Sequence, residues 1–386
     1  MPLYKQFPNA EYPPLSREEI RSLIKGEGAL RPAVIIHGHW IHVDELSEYK
    51  HKPINDLHER MPCDAAPFYM KKPAIFGKKG EFCYCDVEGA DPSLKRKPGE
   101  SVAVDEENAL DWDVIEQISE NCPDAEHTDL FETAPQEDGR YRLMSITPFF
   151  MWYQVKFRGL QNTLLDMYLE PERVHKLNQK RLKYILRTME RGVQEANIDG
   201  ITVLDDIGMQ TGPFMSKELF DEFYLPYYKK VCERAHELGI DVWFHSCGDI
   251  RELLPSLVEA GIDVLHPVQK YCMDEKEIVE TYGDDLAFWC GFDLQRLFPF
   301  GNVEDIRAET RFLADTFWQP HKGKMIYTIS NRIGDNVPLE NYLAFVEEAY
   351  RYGSQIEQKG NGQHASPAYA DKEKWYGIEA TTTSDE

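Results

Sequence analysis

Ile240-Asp241-Val242-Trp243-Phe244-His245-Ser246-Cys247-Gly248-Asp249 leads without a break into Ile250-Arg251-Glu252-Leu253-Leu254-Pro255-Ser256-Leu257-Val258-Glu259-Ala260. The apolar run from Ile240 to Phe244 reads as a strand, and Ile250 to Ala260 reads as the helix that follows it. His245 and Cys247 stand two residues apart where one becomes the other. On extended backbone that spacing turns both side chains to the same face. An imidazole and a thiolate side by side are half of a zinc site. The end of a strand that feeds a helix is also where barrel enzymes place their chemistry.

The same strand-then-helix unit recurs on both sides of this stretch. Leu143 to Thr147 reads as a strand, with Pro148 starting a turn, and two helical stretches follow, divided near Pro171. Glu170-Pro171-Glu172 has the proline and the acids that suit a first helical turn, and that helix runs to Ala196, before the turn at Asp199-Gly200. Ile201 to Leu204 is the next strand. Ser216 is placed to cap a long helix that ends near Gly239. Beyond the opening stretch, Asp263 to His266, Leu286 to Trp289 and Met325 to Ile329 read as strands. Glu275 to Tyr282, Val303 to Phe317 and Leu339 to Tyr350 read as their helices. Six such units imply parallel strands joined by right-handed crossovers.

Two further strands complete a TIM-type (β/α)8 barrel, an α/β fold. Ala33 to Ile36 supplies the first. Glu81 to Cys85 alternates well enough to be the second, although its Lys- and Gly-rich surroundings also suit an inserted hairpin. Ser16-Arg17-Glu18-Glu19 has the form of a capping box. The organisation expected is a helical arm over 1–30, a barrel over 31–355 with an insertion at about 45–135, and a polar C-terminal tail over 356–386.

Composition narrows the class of partner. The formal net charge is −24 over 386 residues, which argues against nucleic acid, since phosphate binding needs a basic surface. No run of about 18 apolar residues is present to span a bilayer, and the first residues lack the basic-then-apolar layout of a signal peptide. A cytoplasmic location is the expectation, and the eight cysteines then read as thiols rather than disulfides.

Three stretches carry a family resemblance. Asp205-Asp206-Ile207-Gly208-Met209-Gln210-Thr211-Gly212-Pro213-Phe214, followed by Ser216-Lys217-Glu218-Leu219-Phe220, is one. His245-Ser246-Cys247-Gly248, with Gly261-Ile262-Asp263-Val264-Leu265-His266-Pro267-Val268-Gln269, is the second. Pro338-Leu339-Glu340-Asn341 is the third. In order and spacing, over about residues 140 to 355, the chain resembles the uroporphyrinogen decarboxylase superfamily. The resemblance implies the TIM-type barrel. It also implies one of two chemistries: cofactor-free decarboxylation of porphyrinogens, or zinc-dependent methyl transfer to or from a corrinoid (cobalamin) protein. The methyltransferase branch carries a His-x-Cys pair and a later Cys as metal ligands. This chain has the pair at His245 and Cys247, but Asn331 where the later Cys is expected.

That departure leaves the third ligand to be found elsewhere. Cys290, at the end of the strand Leu286 to Trp289, is the preferred candidate, with Asp206, Cys272 and Asn331 as alternatives; an amide oxygen is a weak zinc ligand. Of the two acids that end the strand Ile201 to Leu204, alternation lets only one face the cavity. Asp206 is taken as that acid, to orient a ligand, move a proton or brace His245. His37 and His39 after the first strand, Trp152 and Tyr153 after another, Gln210, Gln269 and Arg332 are candidates for contact with substrate, and His37 and His39 are also placed to complete a metal site. No segment reads as corrinoid-binding, so a corrinoid protein is expected as a partner in trans, beside a small methyl donor or thiol. The decarboxylase alternative meets an obstacle. The branch has an arginine-rich segment after its first strand, and here that place reads Ile36-His37-Gly38-His39-Trp40. A barrel that binds a corrinoid or small ligand without metal is the third reading.

Overall fold

The computed structural model describes residues 12–36, 63–71, 73–78, 80–85, 109–117, 123–131, 138–318, 323–331, 333, 336–356 and 364–370. Eight strands make up its main sheet: β1 (Ala33–Val34), β2 (Ala65–Tyr69), β3 (Tyr141–Ile146), β4 (Gly200–Leu204), β5 (Asp241–His245), β6 (Val264–His266), β7 (Ala287–Phe292) and β8 (Met325–Ile329). Helices separate β3 to β8 in the chain, as the sequence pattern predicts, and the fold is of the (β/α)8 class. Among the described residues no helix is long and apolar enough to cross a membrane.

The chain divides into two compact units. The larger comprises Ala66–His266 and Tyr271–Met273. Within it β3 pairs with β4, β4 with β5 and β5 with β6, all parallel. Leu143, Met144, Ile201, Val203, Trp243, Phe244, Val264 and Leu265 are wholly buried. Such strands carry apolar residues on both faces, which is why they read as continuous apolar runs rather than alternating ones. Each of these side chains contributes on the order of 1.5–3 kcal/mol by leaving water. The helix Pro171–Ala196 has the bounds that its sequence predicts, with Pro171 in its first turn and Asn197 closing it in the left-handed region at φ 48°. Ser216 caps the next helix through the Leu219 N–H, as expected. That helix is not continuous to Gly239. It stops at Phe223, and Leu225–Glu237 begins anew with Pro226 in its first turn. A proline lacks the N–H that a helix interior needs, so the chain restarts there.

The second strand of the barrel corrects the sequence reading. It is Ala65–Tyr69, not Glu81–Cys85. Cys83–Cys85 pairs instead with Ala74–Phe76 in a separate two-stranded ladder, and that pairing is parallel, so it is not a hairpin either. Pro67 inside Ala65–Tyr69 hid the strand, because proline argues against a strand interior.

The other unit comprises the described residues of Met1–Ala65, Pro267–Lys270 and Asp274–Glu386. Here β8 pairs in parallel with β1 and with β7. Ser16 and Glu19 form the expected capping box on the helix Arg17–Lys25, which Gly26 ends at φ 69°. Asp64, fully buried, accepts hydrogen bonds from Arg31 at 2.7 and 2.8 Å and from the N–H groups of Leu15 and Val34. A second ionic group surrounds Lys270, whose ammonium lies 2.5 Å from Glu275 and 2.7 Å from Glu309. The rings of Phe312 and Tyr369 sit over it at 4.9 and 4.7 Å. Ser366 donates to Glu309 and Tyr369 to Glu275, so the segment from 364 to 370 is fastened to this group. The two carboxylates hold the Lys270 ammonium well above its ordinary pKa, against the pull of burial. Trp375 and Tyr376 in the expected tail lie outside the described residues.

Candidate metal centre

The larger unit brings three sequence candidates together. Asp206 follows β4, His245 ends β5 and Cys247 comes two residues later. One ligand atom from each lies within 4.8 Å of the other two, the group among the described residues that is suited to a metal ion. His245 Nε2 stands 3.4 Å from Asp206 Oδ1 and 3.8 Å from Cys247 Sγ. The edges of a tetrahedral zinc shell with these donors are about 3.3–3.6 Å long, given arms of about 2.0–2.3 Å. Imidazole, thiolate and carboxylate are also the donor types that zinc takes. The residues therefore fit such an ion.

Backbone hydrogen bonds set this geometry. The two chain segments leaving β4 and β5 are laced together step by step. The Asp205 N–H donates to the His245 carbonyl at 3.1 Å. The Cys247 N–H donates to Asp206 Oδ1 at 2.8 Å, and the Ile207 N–H to Ser246 Oγ at 2.9 Å. The Asp249 N–H donates to the Met209 carbonyl at 2.6 Å. Gly248 makes the closest approach. It sits at φ +89°, and a Cβ there would lie 2.5 Å from the Gly208 carbonyl carbon and 2.5 Å from the Met209 oxygen. Gly248→Ala is expected to cost about 2–4 kcal/mol from left-handed backbone strain and displaced backbone together. Because the strain falls beside Cys247, zinc affinity should fall in the same variant. A wild-type urea midpoint and unchanged zinc binding would refute the close contact.

The pair Asp205 and Asp206 divides its work as strand alternation requires. Asp205 turns inward and is fully buried. It accepts the N–H groups of Phe150 and Met151 at 3.1 and 3.0 Å, the N–H of Trp152 at 2.8 Å and the Tyr228 hydroxyl at 2.7 Å. It thereby ties down the open N–H groups at the start of the helix Met151–Arg158. Burial pushes its carboxyl up to about 6, opposed by these four donors. Asp206 faces the other way, with its side chain 35% exposed. Burial pulls the His245 imidazole below its ordinary pKa, while the Asp206 carboxylate pulls it up. Neutral imidazole, the form favoured at neutral pH, is the form that binds a metal.

The remaining candidates scatter. Trp152 stands at the centre, its indole N–H donating to the Asp206 carbonyl at 2.7 Å. Tyr153 is buried away in packing, edge-on to Phe157 and under the Arg181 guanidinium. Gln210 is exposed in the turn between two short strands, Gly208–Met209 and Gly212–Pro213. Cys272 is half-buried in the same unit and is not part of the three-residue group; burial and the nearby Asp249 carboxylate raise its thiol. Cys290, Gln269 and Asn331 belong to the other unit. Cys290 is buried in β7, donates to the Phe288 carbonyl at 3.5 Å, and is pushed well above its ordinary pKa by burial. The group suited to a metal contains Asp206 and not Cys290. Asn331 is exposed. His37, His39 and Arg332 lie outside the described residues.

One residue of the site went unassigned in the sequence reading. His266 ends β6 directly beside His245 in the strand register. Its Nδ1 lies 2.6 Å from His245 Nδ1, and the rings stack with centroids 4.7 Å apart. The signal was present: two strands of consecutive units each end in His.

A (β/α)8 fold with a three-donor group at the ends of adjacent strands defines the class of barrel protein that carries a site where strands become loops. The uroporphyrinogen decarboxylase (URO-D) family model matches residues 147–352, more than half of the chain, and the chain belongs to that family. A curated relative, the methylated-thiol–coenzyme M methyltransferase of Methanosarcina mazei, is 29% identical over 136 residues. That match takes in 34% of this chain and 33% of the relative, so it spans only about a third of the relative's length. A solved structure of a methyltransferase from Methanosarcina mazei superposes with a TM-score of 0.55 over 87% of this chain and 98% of that one. At 15% sequence identity this is a likeness of fold.

Proposed function

We propose that the chain is a zinc-dependent methyltransferase that moves a methyl group between a small methylated compound or thiol and a corrinoid held by a separate protein. The observation that carries this reading is the convergence of Asp206, His245 and Cys247 to within 4.8 Å. The partial match to a methyltransferase acting on methylated thiols supports it. Zinc bound there would supply Lewis acidity, lowering the pKa of a thiol or drawing charge from the atom that loses the methyl group.

The chain's own residues prepare for that chemistry. His245 and Cys247 would hold a metal from one strand end, and Asp206 from the next. A metal held by these three donors would have room for a substrate atom. The Cys247 N–H fixes the Asp206 carboxylate, and the Trp152 indole fixes its backbone, so little has to move when substrate arrives. Burial of His245 keeps that ligand neutral and ready.

The test uses purified full-length protein with methylcobalamin as a stand-in for the partner-bound corrinoid. Zinc content is measured first, then loss of the methyl–cobalt absorbance on addition of thiols, coenzyme M among them. About one zinc per chain, with thiol-dependent demethylation abolished by a chelator and restored by zinc, is expected. Zinc uptake with no demethylation by any thiol, and no methylation of reduced cobalamin by methylated thiols, would sink the corrinoid reading.

A further inference from the structure

We propose that His266 is a positioning residue that sets the tautomer of His245 and so aims its Nε2 lone pair at the metal; this rests on the metal reading above. The two Nδ1 atoms are 2.6 Å apart, a separation that requires one to carry a proton and the other a lone pair. If His266 donates, the proton of neutral His245 sits on Nε2 and points toward Asp206 and Cys247, where it blocks ligation. If His245 donates, Nε2 presents its lone pair to those same two residues, 3.4 and 3.8 Å away. Only the second arrangement builds a metal site. His266 then holds its own proton on Nε2 and acts purely as an acceptor at Nδ1. No proton is gained or lost by the pair in passing from the first arrangement to the second: each ring exchanges one protonated nitrogen for the other.

Three features hold His266 to this task. It is fully buried, so water does not compete for the contact. It is the register partner of His245 on the adjacent parallel strand, so backbone pairing fixes its position. The rings lie nearly parallel, 29° apart, which limits rotation of either. A ligand histidine whose far nitrogen is held by a neighbour binds metal more tightly, and losing that neighbour typically weakens binding about 10–100-fold.

The experiment compares wild type, His266→Phe and His266→Asn in full-length protein. Phe keeps a flat ring without an acceptor; Asn places an amide oxygen near the position of the lost Nδ1. Zinc dissociation constants are read by chelator competition, with circular dichroism to confirm folding. His266→Phe is expected to bind zinc about 10–100-fold more weakly, and His266→Asn to recover most of the loss. In zinc-loaded wild type, a nitrogen-15 histidine spectrum is expected to show His245 protonated at Nδ1. Equal zinc affinity in wild type and His266→Phe overturns the inference. So does a His245 Nδ1 without a proton in loaded wild type, which needs no variant to fold. Wild-type protein that takes up no zinc overturns the metal reading beneath it, a result visible before any variant is made.

Discussion

Cys247→Ser is expected to lower bound zinc from about one per chain to less than about a tenth, with methyl transfer falling roughly 10³-fold, about 4 kcal/mol in barrier height. A thiolate binds zinc strongly, and a serine hydroxyl stays protonated at neutral pH and does not replace it. Cys247 is only half-buried and its N–H bond to Asp206 survives the change, so the fold should hold and the melting temperature should stay within a few degrees. Asp206→Asn separates two roles for that acid. If its carboxylate ligates, zinc falls as in Cys247→Ser. If it serves only to receive the Cys247 N–H, the amide oxygen continues that bond and zinc stays. Full zinc occupancy in Cys247→Ser would remove the cluster from the chemistry altogether.

The second large effect concerns the neighbouring acid. Asp205→Ala is expected to destabilise the protein by about 4–6 kcal/mol, since three backbone N–H groups and one hydroxyl lose their acceptor in a place water does not reach. Each orphaned donor costs about 1–3 kcal/mol, relieved in part as the cavity relaxes or admits water. The melting temperature should fall by roughly 5–7 °C, as the unfolding entropy of a chain of 386 residues implies. Asp205→Asn retains one acceptor oxygen but brings an NH2 group against other donors, so an intermediate loss is expected. A drop below about 1 kcal/mol in Asp205→Ala would mean that the helix Met151–Arg158 does not depend on this carboxylate. Asp205 variants should change stability first, whereas Asp206→Asn should leave stability close to wild type.

Much of the fold was legible because local signals agreed. Pro171 and Ala196 bound their helix as read, as do Glu275–Tyr282 and Val303–Phe317, where caps, charge and apolar spacing all point the same way. Two features escaped for physical reasons. The strand Ala65–Tyr69 contains a proline, which local reading treats as a breaker although a strand can place it where no N–H is needed. The break at Tyr224 turns on Pro226, a residue that signals equally a kink or a fresh start.

The site divides in the same way. That His245 and Cys247 come together was legible from their spacing, although the strand ends at His245 and Cys247 lies in the loop beyond it. That only one of Asp205 and Asp206 stands with them follows from alternation along another strand. Neither needs knowledge of how the strands pair. The meeting of His266 with His245 does need it, since those residues are 21 apart in the chain and become neighbours only through the register of β5 and β6. Contacts that cross strands are the ones local reading misses, and here such a contact carries the proposed control of the metal ligand.

The fastening of Ser366 and Tyr369 around Lys270 bears on how the gene should be cloned. Trimming the polar C-terminal stretch looks harmless from its composition, yet a stop codon before His364 would strip the lid from an ammonium held between two carboxylates. Shortened versions made for crystallisation should therefore retain everything through Ala370.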